Sequence, residues 1–216
     1  VKEFLATLGC ETLVSGNTPR EELRSWADTC VAAVLKPKAQ PLVQHDVFCV
    51  MPGSAAIFME TAIDVTQTNS ALEIYWQFPG RDDWCWDEGR TRLAILFELL
   101  EEVMSEPLFD VLRTKQQLGY SVGCTNRDSH GVLGFSVYVL SAVQRPPVLL
   151  QRVEAFLDDF AVTLRDFPEE KFANHVVALA GRWLEPQRTL SDLHGTCYSE
   201  IAFGHPVFDR YERNAA

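Results

Sequence analysis

The chain has no apolar run long enough to cross a bilayer: its longest apolar-rich stretch, Leu93 to Leu100, is broken by Glu98. It also has no surplus of positive charge. Thirty acidic against 19 basic side chains give a formal net charge of -11, and no segment concentrates Lys and Arg into a patch. Phosphate backbones and anionic lipid are repelled by such a balance, so neither nucleic acid nor a membrane is an expected partner. Histidine pairs are missing too. His45, His130, His175, His194 and His205 have no second His three or four residues away, so the helical spacing that aims two imidazoles at one metal does not occur. Cys10, Cys30, Cys49, Cys85, Cys124 and Cys197 lack the close spacing of a zinc knuckle or redox motif. Several sit in apolar runs, which favours reduced thiols in a cytoplasmic compartment. There is no nucleophile elbow, phosphate loop or dinucleotide fingerprint. The sequence starts at Val1 with no apolar leader behind it, and reads as a piece of something longer.

What is present is enough apolar residue, 47% of 216, to bury a sizeable core. Thr18-Pro19-Arg20-Glu21 has the form of a capping box, and Leu23, Trp26, Ala27, Cys30 and Val34 follow at helical spacing. A helix is expected from about Pro19 to Leu35. Lys36 to Pro41 carries two prolines and two lysines and forms the clearest boundary in the chain. Strands are expected over Asp46 to Met51, Ala56 to Val65 and Ser70 to Phe78, the last with Leu72, Ile74, Trp76 and Phe78 alternating against polar neighbours.

A helix follows from about Gly89 to Met104, and Pro107 is expected to open a separate short helix to about Gln116. Tyr120, Val122 and Cys124 then alternate, Asn126 to Gly131 reads as a long loop, and Leu133, Phe135, Val137 and Val139 return. Leu149 to Leu164 keeps helical register. Pro168 starts another helix, and a last one runs from about Ser191 to near Gly204. This order predicts an α+β fold, a mixed, largely antiparallel sheet with helices packed on one face.

Most candidate sites have a plainer reading. Gly131 and Gly134 lie in a hairpin and read as close backbone packing. Adjacent carboxylates Glu101 and Glu102 point about 100° apart on a helix and read as a solvated face. His175 reads as a boundary residue, and His194 and His205 as structural. The segment from Phe109 to Val122 is different in kind. It places the Arg113 guanidinium near a helix end and the Tyr120 phenol at a strand entry, with Gly119 turning the chain between them. Both side chains can donate hydrogen bonds to a carbonyl or a developing oxyanion, although neither could hydrolyse a peptide bond alone. On chemistry alone, the better reading is Arg113 as a surface charge and Tyr120 as a half-buried strand residue.

Leu112 to Tyr120, Leu-Arg-Thr-Lys-Gln-Gln-Leu-Gly-Tyr, resembles a signature of the C-terminal half of the inverzincin metallopeptidases, the family of insulin-degrading enzyme, nardilysin and pitrilysin. The similarity extends through Asn69 to Tyr75, Ser105-Glu106-Pro107, Arg152 to Leu157 and Phe208-Asp209-Arg210, and Gly131 to Val137 is most like nardilysin-type members. The resemblance implies a clamshell of homologous domains around a chamber, with a zinc motif His-x-x-Glu-His in the first of them. That motif is absent here, so this part should bind no metal and be inactive alone. Zinc is expected in the N-terminal half.

Residues 1–36 would close the preceding domain, 37–45 would link, and 46–216 would form the C-terminal non-zinc-binding domain, cut short at its end. The resemblance further implies that Arg113 and Tyr120 contact substrate backbone near the scissile bond, in support of catalysis. Expected partners are peptide substrates and the catalytic half of the same polypeptide. A catalytically inert structural or partner-binding homologue is the alternative, and a sheet-edge scaffold for peptides a weaker one.

Overall fold

The computed structural model describes residues 12–34, 48–51, 53–64, 66–78, 88–129, 132–202 and 207–216. Its elements, in chain order, are α1 (Arg20–Val34), β1 (Ser70–Phe78), α2 (Glu88–Leu108), a π-helical segment (Phe109–Lys115), β2 (Ser121–Ser129) and β3 (Val132–Ser141). They are followed by α3 (Pro146–Arg165), α4 (Glu169–Trp183), α5 (Leu190–Ala202) and α6 (Arg210–Ala215). Chain contacts separate two compact units. Residues 48–185 and 209–216 make up the larger, and residues 186–208 join those up to 47 in the smaller.

The larger unit is built on an antiparallel sheet of order β1-β3-β2. Period-2 alternation puts Leu72 and Ile74 of β1 beside Val139 and Val137 of β3, which in turn face Val122 and Cys124 of β2. This face is covered. Phe97, Val103, Met104 and Leu108 of α2, Leu149, Val153, Phe156 and Phe160 of α3, and Leu179 of α4 join it in one core. The Phe97 ring sits 4.6 Å from that of Phe78 and 6.2 Å from that of Phe135, locking α2 to the sheet. The opposite face carries Glu73, Tyr75, Tyr138 and Arg127. There Tyr75 lies over Gly134 and Tyr138 over Gly123, in space that a Cβ at either glycine would occupy. The expected α+β layering with helices on one face of an antiparallel sheet is therefore present.

Four expectations need correction. Residues 48–51 and 56–64, expected as strands, form none, and Phe48, Phe58 and Ile63 are 96%, 90% and 103% exposed. A strand needs a laddered neighbour, and here the Gln77 side chain substitutes for one: its amide accepts from Val50 N–H (2.6 Å) and donates to the Phe48 carbonyl (3.0 Å). Pro107 opens no new helix. It lies inside the last turn of α2, which passes straight into the π-helical segment. Asn126 to Ser129 is strand rather than loop, and Ser129 pairs with Val132. The ladder is held there by Glu101, which accepts from the Asn126 backbone (3.0 Å) and side chain (2.8 Å).

Glu101 and Glu102 are consequently not a solvated face. Glu102 pairs with Arg182 at 2.9 Å, and one turn earlier Glu98 accepts from the Trp183 indole at 2.9 Å. These bonds tie α2 to β2 and α4.

In the smaller unit, Thr189 and Asp192 form a reciprocal cap that starts α5. Ser15 Oγ lies 2.9 Å from His194 Nδ1, and Tyr198 stacks on that imidazole. His194 is thus in a structural setting, while its suggested companion His205 lies outside the described residues. His175, in the larger unit, rests its ring against Phe167.

Candidate functional site

The strongest sequence candidate occupies the junction from α2 to β2. Proline at 107 has no N–H to donate to Val103, and its ring crowds the preceding turn, so the helix loosens behind it into i→i+5 pairing. Gln116 N–H donates to the Val111 carbonyl, five residues back, at 3.0 Å. Gln117 takes a left-handed φ of 52°, and Leu118 N–H closes onto the Leu112 carbonyl at 3.0 Å. This closure over six residues, with a left-handed residue inside it, is one residue wider than the Schellman ending of an α-helix, as the π-helical segment before it requires. Leu112 and Leu118, both buried, anchor it to the core.

Gly119 is needed for a different reason from the one expected. The left-handed turn falls on Gln117, and Gly119 instead allows close approach, because a Cβ there would overlap the Leu140 carbonyl. That approach lets Tyr120 N–H donate to Leu140 O at 3.0 Å and starts the β2 ladder.

Around this rigid junction, Arg113 and Tyr120 project outward. Arg113 is exposed, its guanidinium 4.9 Å from the centre of the Phe109 ring. Its nearest helical carboxylate, Asp110, pairs with Lys115 at 2.7 Å. Among the described residues, Arg113 therefore makes no ion pair. Tyr120 is 54% exposed, and its phenol oxygen accepts from Asn69 Nδ2 at 3.5 Å. The two side chains have separate local partners, the Phe109 ring and the Asn69 amide.

Nothing in the local sequence pattern ties Asn69 to Tyr120; its one signal is its place immediately before β1. Cys124 is buried, and burial pushes its thiol pKa upward against the bond to Ser105, which suits an inert core thiol. Cys30, Cys49 and Cys197 are also free. Among the described residues, no three His, Cys, Asp or Glu side chains gather as metal ligands, and no helix is long and apolar enough to cross a membrane.

Residues 99–197, which span this junction, match the family described as PQQ synthase PqqF-like, C-terminal lobe domain 4. The full chain aligns with insulin-degrading enzyme of Drosophila melanogaster at 28% identity, covering 100% of this chain and 21% of that protein. Human nardilysin aligns at 34% identity over 83% of this chain and 15% of its own length. The chain is homologous to the C-terminal regions of the insulin-degrading enzyme, nardilysin and pitrilysin family.

Solved structures agree on the fold of this family. Pitrilysin superposes with a TM-score of 0.58 at 23% identity, over 69% of this chain and 15% of that one. The periplasmic protease PqqL from Escherichia coli does so with a TM-score of 0.62 at 13% identity, over 93% and 21%. The chain thus spans about a fifth or less of the length of the relatives it matches.

Proposed function

We propose that this chain is the non-zinc-binding C-terminal part of a zinc metalloendopeptidase, where it helps enclose a peptide substrate and presents Arg113 and Tyr120 to the scissile bond. The observation that carries this reading is the pair of exposed donors on a junction anchored in the core, with no carboxylate paired to the arginine among the described residues. In the reading proposed, residues 1–36 close the preceding homologous domain, 37–45 link, and 46–216 form the C-terminal domain. The free thiols support a reducing, cytoplasmic compartment.

Zinc, bound in the N-terminal catalytic half, would polarise the peptide carbonyl and activate water. The residues of this chain contribute hydrogen-bond donors. The guanidinium and the phenol O–H each donate to a substrate carbonyl and tighten as that oxygen gains negative charge, so they stabilise the transition state more than the bound peptide. Neither takes up a proton in the step.

In the full-length polypeptide, Arg113→Ala and Tyr120→Phe should each lower turnover of a peptide by roughly 10²-fold, the usual effect of losing one oxyanion donor. Zinc content should stay the same. Wild-type turnover in both variants would overturn the proposal and favour an inert structural homologue.

A further inference from the structure

We infer that Asn69 is a positioning residue that sets the direction of the Tyr120 phenol proton; the inference rests on the function proposed above for Tyr120. Asn69 is the residue before β1 and Tyr120 the residue before β2, and β3 runs between the two strands. Ser70 pairs with Ser141 and Ser121 with Leu140, so the register brings both residues to the same end of β3, one on each side. The Tyr120 backbone is fixed there by its bond to Leu140 O. Its side chain is not fixed by packing, being 54% exposed, and the polar contact it makes among the described residues is with Asn69 Nδ2, 3.5 Å from the phenol oxygen.

The direction of that bond matters. A phenol has one proton to give and lone pairs to receive. An amide N–H that donates into a lone pair leaves the O–H free to point away from Asn69, toward solvent or a substrate carbonyl. It also polarises the phenol, which strengthens its own donation. A carboxylate in the same place would do the reverse, because it can only accept and would draw the O–H onto itself.

The test is steady-state cleavage of a fluorogenic peptide by the full-length enzyme carrying Asn69→Ala, Asn69→Asp or Tyr120→Phe, together with the two double variants. Asn69→Ala should lower kcat about 3- to 10-fold, the worth of one hydrogen bond, with KM nearly unchanged. Asn69→Asp, nearly isosteric, should fall further, toward the level of Tyr120→Phe. In the Tyr120→Phe background both Asn69 substitutions should be silent. Wild-type kcat for Asn69→Ala and Asn69→Asp beside an impaired Tyr120→Phe would overturn the inference and leave the role of Tyr120 standing. An Asn69→Ala loss that persists undiminished in the Tyr120→Phe background would also overturn it, since the amide would then act on something other than the phenol. Wild-type kcat in Tyr120→Phe would instead remove the function proposed for the tyrosine, and the inference with it.

Discussion

Arg113 is left available by its neighbours. In an α-helix Asp110 would lie one turn from Arg113 and compete for its guanidinium. The wider π turn brings Lys115 within 2.7 Å of Asp110 instead, and the Phe109 ring supports the arginine without neutralising it. Glu98 shows the opposite treatment of a charge. Burial, its largest influence, raises the carboxyl above the ordinary value of 4.5, against the opposing bond from Trp183 and the charge of Arg182. With the folded pKa above the unfolded one, this group favours folding fully at pH below the ordinary value, and the contribution is lost as pH rises through the folded pKa. Glu98→Gln keeps an acceptor for the Trp183 indole and removes the titration. Its unfolding free energy at pH 7 should match or exceed that of the parent by up to about 1 kcal/mol, and vary less between pH 4 and 7. Denaturant titrations across that range test this, and an unaltered pH slope would refute it.

At the level of elements, the junction from α2 to β2 depends on backbone geometry more than on side-chain identity. Pro107 loosens the helix, Gln117 reverses the chain, and Gly119 fits beneath the Leu140 carbonyl. Gly119→Ala forces that contact apart at backbone atoms, which have little freedom to retreat. The cost should be about 1–3 kcal/mol, a loss of roughly 2–4 °C in Tm per kcal/mol for a chain of this size. Turnover should fall along with it, since Tyr120 shifts with its backbone. Calorimetry paired with peptide cleavage checks both effects, and an unchanged Tm would show that the close approach is not needed.

The sequence conveyed part of this junction. The Gly119 and Tyr120 pattern marked a turn into a strand. Pro107, however, fits the first turn of a new helix as well as the last turn of an old one, and only the packing of Leu108 and Leu112 into a common core decides for continuity.

For the whole molecule, the separation of roles proposed between this chain and a zinc-bearing half leads to a further expectation. Chelation of the full-length enzyme should abolish peptide cleavage, whereas the 216-residue chain by itself should show the same thermal transition with and without chelator, because its described residues gather no ligand set. A chelator-dependent Tm in the isolated chain, followed by differential scanning fluorimetry, would contradict that division.

Local pattern alone determined that the three sheet strands, the main helices and the α+β layering exist, because period 2 and period 3.6 are written in adjacent residues, while Arg113 and Tyr120 stood out only through the resemblance of a nine-residue stretch to a family signature. Tertiary structure decided the rest. Residues 56–64 are apolar enough for a strand, yet strand formation depends on a partner elsewhere in the chain, and none of the described residues pairs with them. Glu101 and Glu102 read as a solvated face until Asn126 and Arg182, remote in sequence, are brought against them. Asn69 and Tyr120 stand 51 positions apart, and only the antiparallel register on either side of β3 makes them neighbours. Such contacts are set by which surfaces the whole chain can bury together, and that is a property of the packed fold.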